Sequence, residues 1–327
     1  MFKTILLAAA LLAAPLLPAT VLAQDSSFPS KPLRIVVPYP AGGGTDFVAR
    51  ALAERLAKAL GQPVVVDNKA GAAGAIGAAE VARAQADGHT LLMSITDTHI
   101  NNAVLFKSLP YDPQKDFAFI TQIVRSPALI SVNAESGVKS MDDLRRLIAQ
   151  KPGKLSYASW GIGGLGHLAG ESLNRELKAQ MVHVPQRGEG LVVTDLLSRT
   201  VDVGLSSVGS AKQHVLAGKL NGLAVLGRER STALPGVPTM RELGFADPLY
   251  DTNVWLGLLA PARTPPAIIQ RLAKEVRGIV ATNELRELLV ERGFEIMNTT
   301  PEQFADNYRT EFTITTRRIR DLGVEAQ

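Results

Sequence analysis

Leu33-Arg34-Ile35-Val36-Val37-Pro38-Tyr39-Pro40-Ala41-Gly42-Gly43-Gly44-Thr45-Asp46 runs from an apolar strand candidate, through three glycines, into a helical pattern. The glycines let backbone N–H groups approach a ligand closely, Thr45 or Asp46 can cap the helix, and a helix N-terminus favours negative charge. Leu52, Leu56 and Leu60 recur at helical spacing, Gly61 stops the helix, and Val64-Val65-Val66 follows Pro63 as a second strand. Strand, glycine loop, helix and strand make a βαβ unit with an anion cradle at its turn. Taken alone, the same glycines fit a tight turn equally well.

The pattern continues outward. A second glycine loop (Gly71, Gly74, Gly77) opens a helix over Ala78 to Ala84, and Asp87-Gly88 turns into a strand from His89 to Ile95. Thr96 to Asn102 then reads as a polar loop at the carboxyl end of a strand, where open α/β sheets bind ligands. Further strands are expected at residues 119–124, 128–133, 154–159, 181–184, 201–205, 220–226 and 254–259, with helices between most of them. Ser140 caps a helix over Met141 to Gln150, and Pro265-Pro266 open one running to about Thr282. Such alternation predicts an α/β protein with largely parallel sheets, and about 300 residues exceeds what one core usually holds, so two domains are expected.

The ends and the composition narrow the class. Lys3 precedes an apolar run from Ile5 to Val21, and Val21-Leu22-Ala23 suits signal peptidase, so residues 1–23 read as a cleaved secretory signal. The run is shorter than the roughly 20 residues of a spanning helix. There is no cysteine, hence neither a lipid attachment site nor a disulfide framework. The net charge of +4 is too slight and too dispersed for a nucleic-acid binder, and compatible with small anionic ligands.

Several constellations bear on chemistry. Gly161-Ile162-Gly163-Gly164-Leu165-Gly166 satisfies the dinucleotide fingerprint formally, but the next strand, Met181 to Pro185, ends without the acid that would hold a ribose. A loop that binds a carboxylate through its amides explains the same glycines, so no cofactor is expected. His167, one turn into the following helix, can face such a ligand, as can His99 in the polar loop; packed histidines account for both equally well. His89, His183 and His214 read as structural. No histidine pair has helix metal-site spacing, and no serine sits on a G-x-S-x-G elbow, so neither a metal site nor a nucleophile is nominated. Arg187, in the loop Pro185 to Gly188, can pair a carboxylate in a fork geometry, with a solvated loop arginine as the alternative.

The loops Pro38 to Asp46, Leu60 to Pro63 with Asp67 to Gly71, Asp87 to Leu92, Leu109 to Asp112 with Lys115 to Phe117, Lys151 to Leu155, and Leu234 to Thr239 together resemble the Bug-type periplasmic solute-binding proteins of tripartite tricarboxylate transport systems. The resemblance spans the whole mature chain. It implies a periplasmic-binding-protein-like fold whose first domain holds residues 24–126 and 251–327 and whose second holds 127–250, with a carboxylate ligand between them. It also implies a monomeric receptor serving inner-membrane transporter subunits. By resemblance, the first domain's contacts are Tyr39, Ala41, Gly42, Gly43, Thr45 and Asp46, with Thr96, His99 and Asn101. The second domain's are Ser159, Gly163, Gly164 and His167, then Gln186, Arg187 and Gly188, and Ser206. The chain departs from the family pattern where relatives have serine (Gly164), a Tyr-Lys-Gly turn (Gln186-Arg187-Gly188) and an acid near Ser206. Those departures are expected to reshape the distal pocket. The rival class is an exported α/β hydrolase or transferase with His167 or His99 as base.

Overall fold

The computed structural model describes residues 28–324, so the expected signal segment, residues 1–23, lies outside the described residues. Two sheets organise the chain. The first contains β1 (Leu33–Val37), β2 (Val64–Asn68), β3 (Thr90–Ile95), β4 (Phe117–Ser126), β10 (Val254–Pro261) and β11 (Glu295–Ile296), in the order β11-β4-β10-β3-β1-β2. The second contains β5 (Ala128–Asn133), β6 (Ser156–Ser159), β7 (Val182–Pro185), β8 (Val203–Ser207) and β9 (Leu220–Val225), in the order β7-β6-β8-β5-β9. Both are mixed, which corrects the expectation of largely parallel sheets. β1 pairs parallel with β2 and β3, but β10 returns antiparallel between β3 and β4. In the second sheet β5 runs antiparallel to β8 and β9. The cause is topological: Pro127 alone separates β4 from β5, so the chain passes straight from one sheet into the other, and β10 comes back the opposite way.

Helices cover both sheets. α1 (Gly44–Leu60) and α2 (Ala75–Ala82) flank the βαβ unit, and α4 (Met141–Gln150) starts at Ser140, whose hydroxyl accepts from the Asp143 amide. α5 (Leu165–Leu177), α6 (Glu189–Ser198) and α7 (Val208–Leu216) pack on the second sheet. α8 (Pro266–Val280), α9 (Asn283–Glu291) and α10 (Pro301–Leu322) close the first. In α1, Leu52 and Leu56 are fully buried, as the helical spacing required. β1, β3, β5 and β10 are apolar almost throughout because each lies between neighbours and is covered on both faces. No helix of the described residues is long and apolar enough to cross a membrane.

One expected loop is a helix. Asp97–Asn101 forms a wide π turn that continues as α3 (Asn102–Leu105), and its polar side chains are buried rather than solvated.

Candidate functional site

β1 and β8 deliver chain ends to one cleft of about 610 Å³, whose floor is made where β3, β4, β5 and β10 meet. On the first-sheet side stands the loop Tyr39 to Thr45. The α1 N-cap is Gly43, and no side chain caps it, contrary to the expectation that Thr45 or Asp46 would. The amides of Gly44 and Thr45 have no acceptor among the described residues, so their N–H groups and the positive end of a 17-residue helix stay available. Asp46 is 4% exposed and turned from the cleft. Its carboxylate accepts from the Gly42 amide at 2.9 Å, Arg50 Nε at 3.0 Å and Asn68 Nδ2 at 3.0 Å, which fixes the loop's shape. Burial works against its charge, but Arg50, the Gly42 amide and Asn68 outweigh it and hold the carboxyl below the usual carboxylate range.

The second-sheet wall comes from the loop before α6 and from the N-terminus of α7. Arg187, Gly188 and Glu189 face the cleft, with Ser207, Gly209 and Ser210 beside them. Glu189 Oε2 accepts from the hydroxyls of Ser207 and Ser210, each at 2.6 Å. The remaining wall comes from the far end of the chain: the Arg292 guanidinium lies 4.3 Å from the centre of the Phe47 ring, and Phe294 follows it. Gly209 is required there, since an added Cβ would stand 2.3 Å from the Arg292 carbonyl oxygen.

The other glycine loop is already filled. The N-terminus of α5 receives the protein's own Asp97, which accepts from Trp160 Nε1 at 3.0 Å, from the Leu165 amide at 3.3 Å and from Asn101 Nδ2 at 2.9 Å. Asn101 also donates to the Gly163 carbonyl at 2.9 Å, so the π turn of the first sheet is bonded directly to the glycine loop of the second. Burial pushes the Asp97 carboxyl up to about 6, opposed by the Trp160 and Leu165 donors. Gly164 has no room for a side chain, because a Cβ there would lie 2.7 Å from Trp160 Nε1 and 2.9 Å from Asp97 Oδ2.

The structure therefore divides the sequence candidates. Tyr39, Ala41, Gly42, Gly43, Thr45, Arg187 and Gly188 line the cleft together. The other ten do not. Thr96 accepts from the Trp255 amide, and His99 is fully buried, bonded to Ser94 at 2.7 Å and packed on Phe117, with burial pushing its pKa down to about 3. Ser159 bonds His183, and His167 accepts from the Gly163 amide and stacks on His183 at 4.0 Å. Gln186 donates to Asp195, and Ser206 is buried within β8. Asp46, Asn101, Gly163 and Gly164 serve the loops as described. Sequence reasoning missed Phe47, Trp160, Glu189, Arg292 and Phe294. Only Trp160 and Glu189 carried a signal: Trp160 directly follows β6 before a glycine turn, and Glu189 opens α6 directly after Gly188.

Comparison with known proteins agrees with this architecture. Residues 48–324 match the model of the tripartite tricarboxylate transporter family receptor. Protein BugT of Bordetella pertussis is 34% identical over 278 residues, covering 85% of each chain. Among solved structures, the periplasmic binding protein BugD is 31% identical with a TM-score of 0.83, covering 92% of this chain and 100% of its own. An R. palustris protein solved with adipate is 30% identical with a TM-score of 0.85 over the same shares. The chain belongs to the tripartite tricarboxylate transporter family receptors, of the Bug type.

Proposed function

We propose that this protein is an exported receptor that captures a small carboxylate in the cleft between its two lobes and hands it to inner-membrane transporter subunits of the tripartite tricarboxylate type. The observation that carries this reading is the pairing across one cleft of the uncapped α1 N-terminus, with its free Gly44 and Thr45 amides, and the Arg187 side chain. Amides at a helix start and a guanidinium are both suited to a carboxylate. Adipate in the R. palustris relative supports the ligand class. In this reading residues 24–126 with 251–327 form one lobe and 127–250 the other, residues 1–23 direct export, and the receptor works as a monomer. The ligand shifts an open–closed equilibrium by its greater affinity for the closed form. It leaves unchanged, because the two histidines nominated as bases, His99 and His167, are bonded elsewhere.

Native mass spectrometry of protein purified without denaturation, followed by calorimetric titration with the acid it releases, tests the reading. A retained or titratable carboxylate with no product formed supports it. Turnover of that acid, or a folded protein that binds no carboxylate, sinks it.

A further inference from the structure

We infer that the ligand is an aromatic monocarboxylate rather than a short dicarboxylate, a conclusion that rests on the cleft being a carboxylate site and adds what lies beyond its anchor. The cleft is polarised by depth. Its positive groups stand at the accessible edge: the exposed loop Ala41 to Gly44 and the exposed side chains of Arg187 and Arg292. Its floor is apolar, with Ile95, Ala128, Val254, Leu256 and Phe294 each at most 9% exposed. A ligand filling such a space carries charge at one end and a hydrocarbon body at the other.

The second lobe's own donors, Arg187 and the uncapped α6 N-terminus after Gly188, stand with the anchor at the edge, and further in a second anion finds nothing. Ser207 and Ser210, at the α7 N-terminus, spend their hydroxyls on Glu189, and the α5 N-terminus is occupied by Asp97. A second carboxylate pushed inward would therefore lose its water against apolar side chains and meet the negative charge of Glu189. A ring loses nothing there. It meets Phe294 from the floor and Phe47 from the wall, the latter already backed by the Arg292 guanidinium at 4.3 Å, a geometry that strengthens an aromatic stack.

The test is calorimetric titration of the full mature chain, stripped of carried ligand, with benzoate and cinnamate against succinate and glutarate, and with benzamide as the uncharged control. The expected result is an aromatic acid binding at least tenfold tighter than either diacid, with benzamide weaker than benzoate. Glu189→Gln is expected to narrow the gap severalfold by removing the repulsion. Diacids binding as tightly as the aromatic acids, or an unchanged gap in Glu189→Gln, would overturn the inference while leaving a carboxylate receptor standing. No acid of either kind binding to protein that melts cooperatively would overturn both readings.

Discussion

Asp97 Oδ2 accepts a hydrogen bond from Trp160 Nε1 at 3.0 Å, and through that bond the π turn after β3 is tied to the glycine loop after β6. Trp160 also lines the cleft, whereas Trp255, the chain's other tryptophan, is 2% exposed and away from it. Ligand binding is therefore expected to change tryptophan emission in the wild type, and the change should vanish in Trp160→Phe. An equal change in that variant would show that Trp160 does not report on the cleft.

The pH dependence of this tie can be worked out in sign. A carboxyl raised to about 6 when folded, against an ordinary value of 3.8, favours the folded state most at low pH. Its contribution is complete below about pH 4 and is lost as pH rises through 6, by up to about 3 kcal/mol for two units. His99, lowered by burial to about 3, and His183, lowered by burial to about 4, act the other way, since stability drawn from a buried neutral histidine is lost as pH falls below 6.5. The wild-type curve alone is thus ambiguous. The difference is not: the stability of Asp97→Asn minus that of the wild type should grow as pH rises from 4 to 7, whatever its constant offset. Urea melts across that range check it, and a flat difference removes Asp97 as the titrating group.

The βαβ opening was legible because its signals are local. Glycines at a strand end and leucines at helical spacing need no knowledge of the rest of the chain, and β1 and β5 fall where the apolar runs place them. The mixed sheets were not legible, because nothing in the apolar run of β10 records its direction, which is set by the crossing from the other lobe. Thr96 to Asn102 reads as a loop since its side chains are polar. Their partners come from afar: Asp97 is satisfied by Trp160 and Leu165, more than sixty positions away. The glycines of 161–166 did announce an anion cradle, but not that the anion would be part of the protein. Arg292 and Phe294 reach the cleft from the opposite end of the chain and carry no local mark at all.

Gly209 and the Arg292–Gly293 turn meet across the cleft with no room for a methyl group. A Cβ on Gly209 would sit 2.3 Å from the Arg292 carbonyl oxygen, a backbone atom that cannot swing aside. Gly209→Ala should therefore hold the lobes apart, weakening ligand binding at least tenfold and enlarging the radius of gyration in solution scattering. Wild-type compaction in that variant would mean the turn gives way freely.

Gly43 offers the converse case. Its φ is −79°, and an added Cβ meets only the Pro40 carbonyl oxygen, at 3.7 Å, so the fold tolerates a side chain there. Gly43→Val is expected to keep the wild-type melting temperature yet obstruct the Gly44 and Thr45 amides. Asp46→Ala should also weaken binding by freeing the Gly42 amide that the carboxylate holds, with some loss of stability because Arg50 and Asn68 lose their partner. Unchanged affinity in both variants would remove the loop from the site.

Arg187 decides whether the second lobe holds the ligand's charge. It is exposed at the cleft edge and has no ion-pair partner among the described residues, so it is a cation awaiting one. Its guanidinium carries a fixed charge on a planar fork, which permits two parallel bonds to one carboxylate. Hydrogen bonds to charged groups contribute roughly 1.5–3 kcal/mol, so Arg187→Ala should cost about tenfold to a hundredfold in affinity. Arg187→Lys should recover part of that loss, since the charge returns without the fork. Because the carboxylate would bridge this side chain and the α1 amides, Arg187→Ala should also stay extended in solution scattering when ligand is added. If the alanine variant still compacts with undiminished affinity, Arg187 is a solvated loop residue, and the contact that draws the lobes together is made by Gly188 or by Trp160 with Asp97.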